Sequence, residues 1–137
     1  MDLENLKIKS YKYWDLYLSE NQCYLGRVML FLRKDEGVED FLAIGKEERE
    51  EFFQIGARVK AALKTLFKPD RMNYAALSNV SPRIHVHLIP RYKEPREFGG
   101  HTFRDPRFGE HYAPYPRDYP LEEKILFSIR DAIKERL

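Results

Sequence analysis

Two histidines, His85 and His87, stand one residue apart in the apolar stretch RIHVHLIPRY at residues 83–92. Side chains of a strand alternate between its two faces, so the polar and apolar residues of this stretch would face opposite sides. The polar row consists of Arg83, His85 and His87, and the apolar row of Ile84, Val86 and Leu88. The apolar row suits packing against a helix. The polar row would make a cationic, hydrogen-bonding surface suited to an anionic ligand.

Three interpretations of the polar row follow from its residue types. The histidines are half-exposed surface residues, or they supply two ligands to a metal, as His-x-His on a strand can. A metal would need a third ligand, from His101, His111 or a carboxylate. In the third interpretation, a histidine attacks phosphorus while an arginine binds phosphate oxygens. The spacing by itself leaves all three open.

The composition narrows the class of protein. The chain has 137 residues, a net charge of +2 and 34% charged residues, which indicate one globular domain rather than a disordered chain. Basic residues form no run of five, so nucleic acid is not an expected partner. The first ten residues do not read as a signal peptide, and no stretch approaches the roughly 20 apolar residues of a membrane span. Cys23 is the single cysteine, so no intrachain disulfide can form. We expect a cytoplasmic protein that does not bind membranes.

The first half of the chain predicts two strands followed by a helix. Residues 11–34 contain two runs rich in aromatic and apolar residues, with SENQ as the turn. Residues 46–67 predict a helix, because apolar residues recur at i, i+3, i+4 and i+7. Gly45 is its predicted N-cap, and Pro69 would stop it. The predicted buried face consists of Phe52, Ile55, Val59, Ala62, Leu63 and Leu66.

The second half predicts two more strands, a loop and a helix. Residues 72–79 and 83–92 form the second strand pair, with VSP between them. Residues 93–120 read as a long loop, and loops of that length are usually functional or part of an interface. Residues 121–137 predict a helix whose one face holds Ile125, Ile129, Ala132, Ile133 and Arg136. Short turns between consecutive strands imply antiparallel pairing, so the fold class is α+β in a single domain over residues 1–137.

A family resemblance favours the phosphate interpretation. The stretch RIHVHLIPR resembles the signature of the histidine triad (HIT) family of nucleotide hydrolases and transferases, in which three histidines alternate with apolar residues and Pro-Arg commonly follows. It matches at every position but the first, where Arg83 replaces a histidine. NYAALSNVSP is similar to the family's Asn-bearing strand and polar turn, and LGRVMLFLRK to its second strand. The resemblance implies a HIT-like fold, with an antiparallel sheet of about five strands, two helices and a homodimer whose tails complete each other's sites.

The resemblance also implies a reaction. His85 would be the nucleophile that attacks the α-phosphorus of a nucleotide, giving a nucleotidyl-histidine, while its other ring nitrogen donates to a backbone carbonyl. His87 would hydrogen-bond a phosphate oxygen or assist the leaving group. The protein would need no metal, so Mg²⁺ would arrive only with the substrate. The implied substrate is a dinucleoside polyphosphate or a nucleoside phosphoramidate. The alternatives are a nucleotidyltransferase, a nucleotide-binding protein without turnover, and a metalloprotein using both strand histidines and a loop histidine.

Further residues match positions that contact the substrate in the family. Asn79 and Asn73 would contact phosphate and orient the site. Ser19 stands where relatives carry the residue that binds ribose hydroxyls, with Asn21 as its substitute. Arg27 follows Gly26, where relatives often have another histidine.

The two arginines pose an electrostatic question. The resemblance places Arg83 and Arg27 close together, and at about 5 Å and an effective dielectric near 20 their repulsion would be on the order of 3 kcal/mol. Diverging side chains, a carboxylate or a bound anion would relieve it. We expect Arg83 to reach toward the polyphosphate or the rim of the site. Arg91, by contrast, is expected to have a structural role at the strand end.

Overall fold

The main feature of the fold is a five-stranded antiparallel sheet with the strand order β1-β2-β3-β5-β4. A computed structural model describes residues 1–34, 37–81 and 83–137, so Pro82 of the predicted turn lies outside the described residues. The strands are β1 Lys7–Ser10, β2 Trp14–Leu18, β3 Val28–Leu32, β4 Arg71–Ala75 and β5 His85–Arg91. The helices are α1 Lys46–Phe67 and α2 Glu123–Lys134, with short 3-10 helices at Leu3–Leu6 and Phe41–Ala43. The predicted α+β class, the sheet of about five strands and the two helices are confirmed.

Helix α1 begins and ends where the sequence predicts. The backbone N–H of Gly45 donates to Glu48 Oε1 at 2.8 Å, which satisfies a donor at the helix start. After the last turn, Lys68 takes the left-handed conformation, with φ 52°, and Pro69 prevents the helix from continuing. The predicted apolar face is buried, except that Leu66 is half-buried and Phe67 is buried instead.

Both helices pack on one face of the sheet, where the hydrophobic core lies. At and within β5, Ile84, Val86 and Leu88 enter this core and are each at most 2% exposed. Their partners on the two helices include Phe52, Ile55, Val59, Ile125, Ile129 and Ile133. The predicted alternation along β5 is therefore confirmed, and the histidines lie on the face that the helices do not cover.

The structure departs from the prediction of a structureless segment at residues 93–120. Two three-residue strands, β6 Arg96–Phe98 and β7 His101–Phe103, form a hairpin there. Gly99 and Gly100, with φ of 61° and 82°, make its two-residue turn, a conformation that glycine adopts without strain. The strands are too short to show alternation in the sequence, which is why only a loop was predicted.

Two other elements differ from the prediction. Strand β1 was not predicted, because only Ile8 of its four residues is fully buried and no alternating pattern appears. Helix α2 ends at Lys134, so Arg136 lies beyond it and is exposed rather than on its buried face. A charged residue beyond the last apolar turn gains nothing from burial. No helix in the described part of the chain is long and apolar enough to cross a membrane.

The segment that follows the β6–β7 hairpin crosses the histidine face of the sheet. Arg91, 3% exposed, fixes it by binding the Asp105 carboxylate at 2.8 Å and the backbone carbonyls of Arg107 and Glu110. Burial alone would raise the pKa of Asp105, but hydrogen bonds from Arg91 and from backbone N–H groups hold that pKa below its ordinary value. These contacts agree with the structural role predicted for Arg91.

Candidate active site

The histidine row lies between strands β3 and β4 on the open face of the sheet. Antiparallel pairing sets His85 opposite Phe31 and His87 opposite Met29 on β3. The two imidazole rings are 5.2 Å apart, centroid to centroid, and nearly perpendicular at 81°. Both histidines lie on β5, and pairing with β3 and β4 fixes the backbone of this strand. The two rings are therefore held side by side on one surface.

His85 has a defined proton position. Its Nδ1 lies 2.8 Å from the backbone carbonyl oxygen of Arg83. A carbonyl oxygen only accepts hydrogen bonds, so Nδ1 carries the proton, and Nε2 of the neutral ring holds a free lone pair. The ring also stacks on Phe31 at 5.3 Å and 17°, which fixes its plane. The hydrogen bond expected between His85 and a backbone carbonyl is present.

His87 is held neutral. Burial, the adjacent Arg27 guanidinium and the His85 ring lower the pKa of His87 from the usual 6.5 to about 4. Its Nδ1 lies 3.3 Å from Arg27 Nη2. At neutral pH, His87 therefore contributes a polar, uncharged ring.

Arg27 is a buried cation at one end of the row. It is 4% exposed, and its guanidinium lies over the rings of Tyr112 and Tyr115, at 5.6 and 4.9 Å. Its Nε has no hydrogen-bond partner among the described residues. Gln22 fixes the backbone at this point, because its amide donates to the carbonyls of Ser19 and Arg27. The tyrosine rings offer the buried charge a favourable electrostatic surface.

Arg83 lies at the other end of the row, away from Arg27. Its guanidinium donates to the Leu32 carbonyl at 3.2 Å and lies 5.0 Å above the Phe31 ring. The β3–β5 register separates the backbones of Arg27 and Arg83 by six residues, or roughly 20 Å along the strands. The expectation that the two guanidiniums lie about 5 Å apart was therefore wrong, and no strong repulsion between them needs relief.

The other residues expected to bind substrate have different surroundings. Asn73 lies on the histidine face, but its Oδ1 accepts from Arg91 Nη1 at 2.9 Å. Asn79 is exposed in the segment between β4 and β5. Ser19 is buried beside Arg27, whose carbonyl accepts its backbone N–H. Asn21 donates to the Pro116 carbonyl and accepts from the N–H of Cys23. Its side chain therefore holds the tail, which is the segment 104–122 between the β6–β7 hairpin and α2.

Comparison with known proteins identifies the family. The family model described as "HIT domain" matches residues 21–94, which is more than half of the chain. This chain belongs to the histidine triad family. No curated protein matches this chain significantly.

Solved structures have the same fold over nearly the whole chain. A histidine triad protein of Sinorhizobium meliloti, 18% identical, has a TM-score of 0.79 and covers 100% of this chain and 96% of its own. One of Marinobacter aquaeolei, 21% identical, also has a TM-score of 0.79, with 98% and 91% covered. A hypothetical histidine triad nucleotide-binding protein of Sulfolobus tokodaii, 16% identical, has a TM-score of 0.68, with 96% and 82% covered. The resemblance seen in the sequence is confirmed for family and fold.

The two loop histidines of this HIT protein have partners of their own. His101 Nε2 lies 2.8 Å from the Tyr119 hydroxyl, and its ring packs against Phe103. His111 accepts the N–H of Ala113 through Nδ1 and stacks at 4.6 Å on Tyr112, one of the two tyrosines beside the Arg27 guanidinium. Within residues 1–34, 37–81 and 83–137, no three His, Cys, Asp or Glu side chains gather as metal ligands would.

Tyr112 and Tyr115 were not predicted to be part of this site. The hydroxyl of Tyr24 donates to the Tyr112 carbonyl, and this bond fixes the two tyrosines of the tail against the sheet. The aromatic composition of residues 93–120 was the only signal, and it could not say which rings would meet the guanidinium.

Proposed function

We propose that this HIT protein is a nucleotide-binding hydrolase that cleaves a nucleoside phosphate derivative at its α-phosphate through a nucleotidyl-His85 intermediate. The observation that carries this proposal is the hydrogen bond from His85 Nδ1 to the Arg83 carbonyl, which leaves Nε2 as a free lone pair on an open face. A neutral imidazole in one tautomer is the form a nucleophilic histidine needs.

The reaction has two steps. In the first, His85 Nε2 forms a bond to the α-phosphorus, and the bond from that phosphorus to the bridging atom of the leaving group breaks. In the second, a water oxygen attacks the phosphorus, the N–P bond breaks, and the nucleoside monophosphate leaves with the oxygen of the water. His85 is regenerated, and the protons of the water pass to the products and solvent. The protein supplies no metal in this scheme, and Mg²⁺ enters only with a polyphosphate substrate.

The charges around His85 suit a polyanion. Arg83 and Arg27 lie at opposite ends of the histidine row, and the two imidazoles between them add polar groups. A chain of phosphates along the row would contact Arg83 at one end and lie in the electrostatic field of the buried Arg27 at the other, which favours dinucleoside polyphosphates among the candidate substrates. In this proposal Asn79, Asn73 and Ser19 contact the phosphate and ribose, after Asn73 exchanges its bond to Arg91 for one to the ligand.

An activity panel tests the proposal. Purified protein is incubated with dinucleoside polyphosphates and adenosine phosphoramidate, and products are separated by chromatography. We expect a nucleoside monophosphate as one product from every active substrate. Binding of the non-hydrolysed panel members is measured by calorimetry in parallel. Binding without product would instead establish the second candidate, a nucleotide-binding protein without turnover, which the replacement of the first triad histidine by Arg83 favours.

We also propose that the protein is a homodimer. Strand β4 is an edge of the sheet, and beside it a groove of about 480 Å³ opens between the sheet and α1. Phe53 on α1 and Tyr74 on β4 border this groove, and these residues are 71% and 53% exposed. An unpaired strand edge beside exposed aromatic residues is suited to pairing with the same edge of a second copy.

A further inference from the structure

The contact between Arg27 and His87 has a consequence for the proton on His87. Every guanidinium nitrogen of arginine is a hydrogen-bond donor, and none can accept. The 3.3 Å contact between Arg27 Nη2 and His87 Nδ1 therefore requires Nδ1 to accept. A neutral imidazole with an accepting Nδ1 carries its proton on Nε2. His85, whose Nδ1 donates to the Arg83 carbonyl, has the opposite tautomer.

We infer that Arg27 is a positioning residue for His87: its guanidinium holds His87 in the Nε2–H tautomer, so that the histidine row presents a lone pair on His85 Nε2 beside an N–H on His87 Nε2. The pair then offers one nucleophile and one hydrogen-bond donor to the same phosphoryl group. The donor suits a nonbridging phosphate oxygen, which accepts a hydrogen bond in the ground state and more strongly as charge builds on it.

The surroundings of Arg27 keep it in place for this role. The guanidinium is confined between Tyr112, Tyr115 and the sheet at 4% exposure, and no carboxylate binds it in the described chain. Its backbone is held by Gln22 through the carbonyl of Arg27 and by the Tyr24 carbonyl, which accepts the N–H of Arg27. A residue buried only to balance a charge would face an acid. Arg27 instead faces an imidazole nitrogen.

This inference rests on the proposed function where it names a substrate class. A neutral His87 whose Nδ1 is already hydrogen-bonded has no extra proton to give to a leaving group. The reaction then favours leaving groups that depart as stable anions, such as a phosphate chain, over amines, which need a proton. Because general acid catalysis typically contributes 10²–10⁴-fold, we expect kcat/KM for a dinucleoside polyphosphate to exceed that for adenosine phosphoramidate by at least about 100-fold.

Nuclear magnetic resonance of the nucleotide-free protein tests the tautomer itself. Two-bond ¹⁵N–¹H correlation spectra at pH 7 distinguish protonated from unprotonated ring nitrogens, and His85→Gln and His87→Gln variants assign the two rings. We expect Nδ1–H on His85 and Nε2–H on His87. An Nδ1–H signal on His87 would overturn the inference, and this result needs no Arg27 variant to fold.

Two variants then test whether Arg27 is responsible. Arg27→Lys keeps a donor on a stem of similar length and should retain the Nε2–H tautomer, whereas Arg27→Met removes the donor and should give mixed tautomers on His87. Arg33→Met, which removes an exposed cation just beyond the end of β3, is the control and should leave the spectrum unchanged. A fixed Nε2–H signal in Arg27→Met would show that another group sets the tautomer. Because these spectra need no substrate, failure of the tautomer and failure of the proposed hydrolysis are separate results.

Discussion

At the residue scale, the site depends on which atom of each polar side chain is already occupied. His85 has one nitrogen bound to a backbone carbonyl and one free, and His87 has one nitrogen bound to Arg27. Arg83 uses part of its guanidinium on the Leu32 carbonyl, yet it remains half-buried rather than enclosed. The groups left free in each residue decide what a ligand can bind.

Arg83→Ala is expected to weaken substrate binding more than it slows the chemical step. Arg83 lies beyond His85 at the end of the row, so it can meet the phosphate chain without touching the reacting bond. We expect KM to rise about tenfold, or roughly 1.4 kcal/mol, with a smaller change in kcat, and high salt should reproduce part of the effect. Steady-state kinetics measure KM and kcat, and single-turnover kinetics measure the rate of the chemical step. A normal KM with a reduced single-turnover rate would mean that Arg83 stabilises the transition state instead.

His87 is expected to make the folded protein less stable as the pH falls. Its pKa is about 4 when folded and near 6.5 when unfolded, so between those values the unfolded chain binds a proton that the folded chain does not. The free energy of unfolding should therefore drop by about 2 kcal/mol between pH 7 and pH 5 from this residue. Urea unfolding of the wild type and of His87→Gln at both pH values isolates this contribution. An equal drop in the free energy of unfolding of both proteins would show that the pKa of His87 is not lowered by folding.

At the element scale, the turn between β2 and β3 sets the position of Arg27. Gly26 takes a φ of +86° there, and a Cβ on it would lie 2.8 Å from Leu63 Cδ2 of α1. The turn therefore presses against the helix, and Gln22 closes it from inside by accepting the N–H of Gly26. The turn that carries Arg27 is thus positioned by its contact with α1, on the other side of the sheet.

Gly26→Ala should destabilise the protein through both its backbone and its contact with the helix. Gly109→Ala is the matched control, because Gly109 has a similar φ of +90° and open space around it. We expect about 1 kcal/mol for Gly109→Ala from the left-handed backbone and 1–3 kcal/mol more, roughly, for Gly26→Ala from overpacking. Denaturant unfolding of both variants measures the difference. Equal losses would mean that α1 moves aside without cost.

Most elements of the core could be predicted from the sequence, but strand β1 and much of the site could not. Periodicity placed α1 and the alternation along β5, because burial of apolar side chains imposes those patterns. The family signature singled out His85 and His87. The separation of Arg27 from Arg83 depends on the β3–β5 register, and the contact of Tyr112 with Arg27 depends on a tail held by Arg91. Both are long-range contacts with no local pattern in the sequence.

At the scale of the whole molecule, the two faces of the sheet have different tasks. One is covered by α1 and α2 and forms the core, while the other carries the histidine row and the tail. Strand β4 forms one edge of the sheet, and the exposed groove beside Phe53 opens next to this edge. Association through this edge would leave the histidine face open.

The homodimer is tested at the groove. Light scattering after size exclusion should give twice the 16.4 kDa mass of the chain for the wild type. Phe53→Glu puts a charge on the exposed apolar surface beside β4 and should give the monomer mass, because burying an unpaired carboxylate is costly. Leu3→Glu, a similar change at an exposed residue outside the groove, should stay dimeric. A dimeric Phe53→Glu protein would place the interface elsewhere.

Detection of a covalent intermediate on His85 is the decisive experiment for the proposed hydrolysis. Protein is mixed with a dinucleoside polyphosphate, quenched in alkali within the first turnover, and analysed by intact mass and peptide mapping. We expect a nucleoside monophosphate adduct on His85 that survives alkali and is lost in acid, as phosphoramidates are. The His85→Ala variant should show neither the adduct nor turnover. Nucleotide binding by that variant should stay within about tenfold of the wild type. Turnover by His85→Ala above a few per cent of the wild-type rate, or an adduct on another residue, would contradict the proposed mechanism.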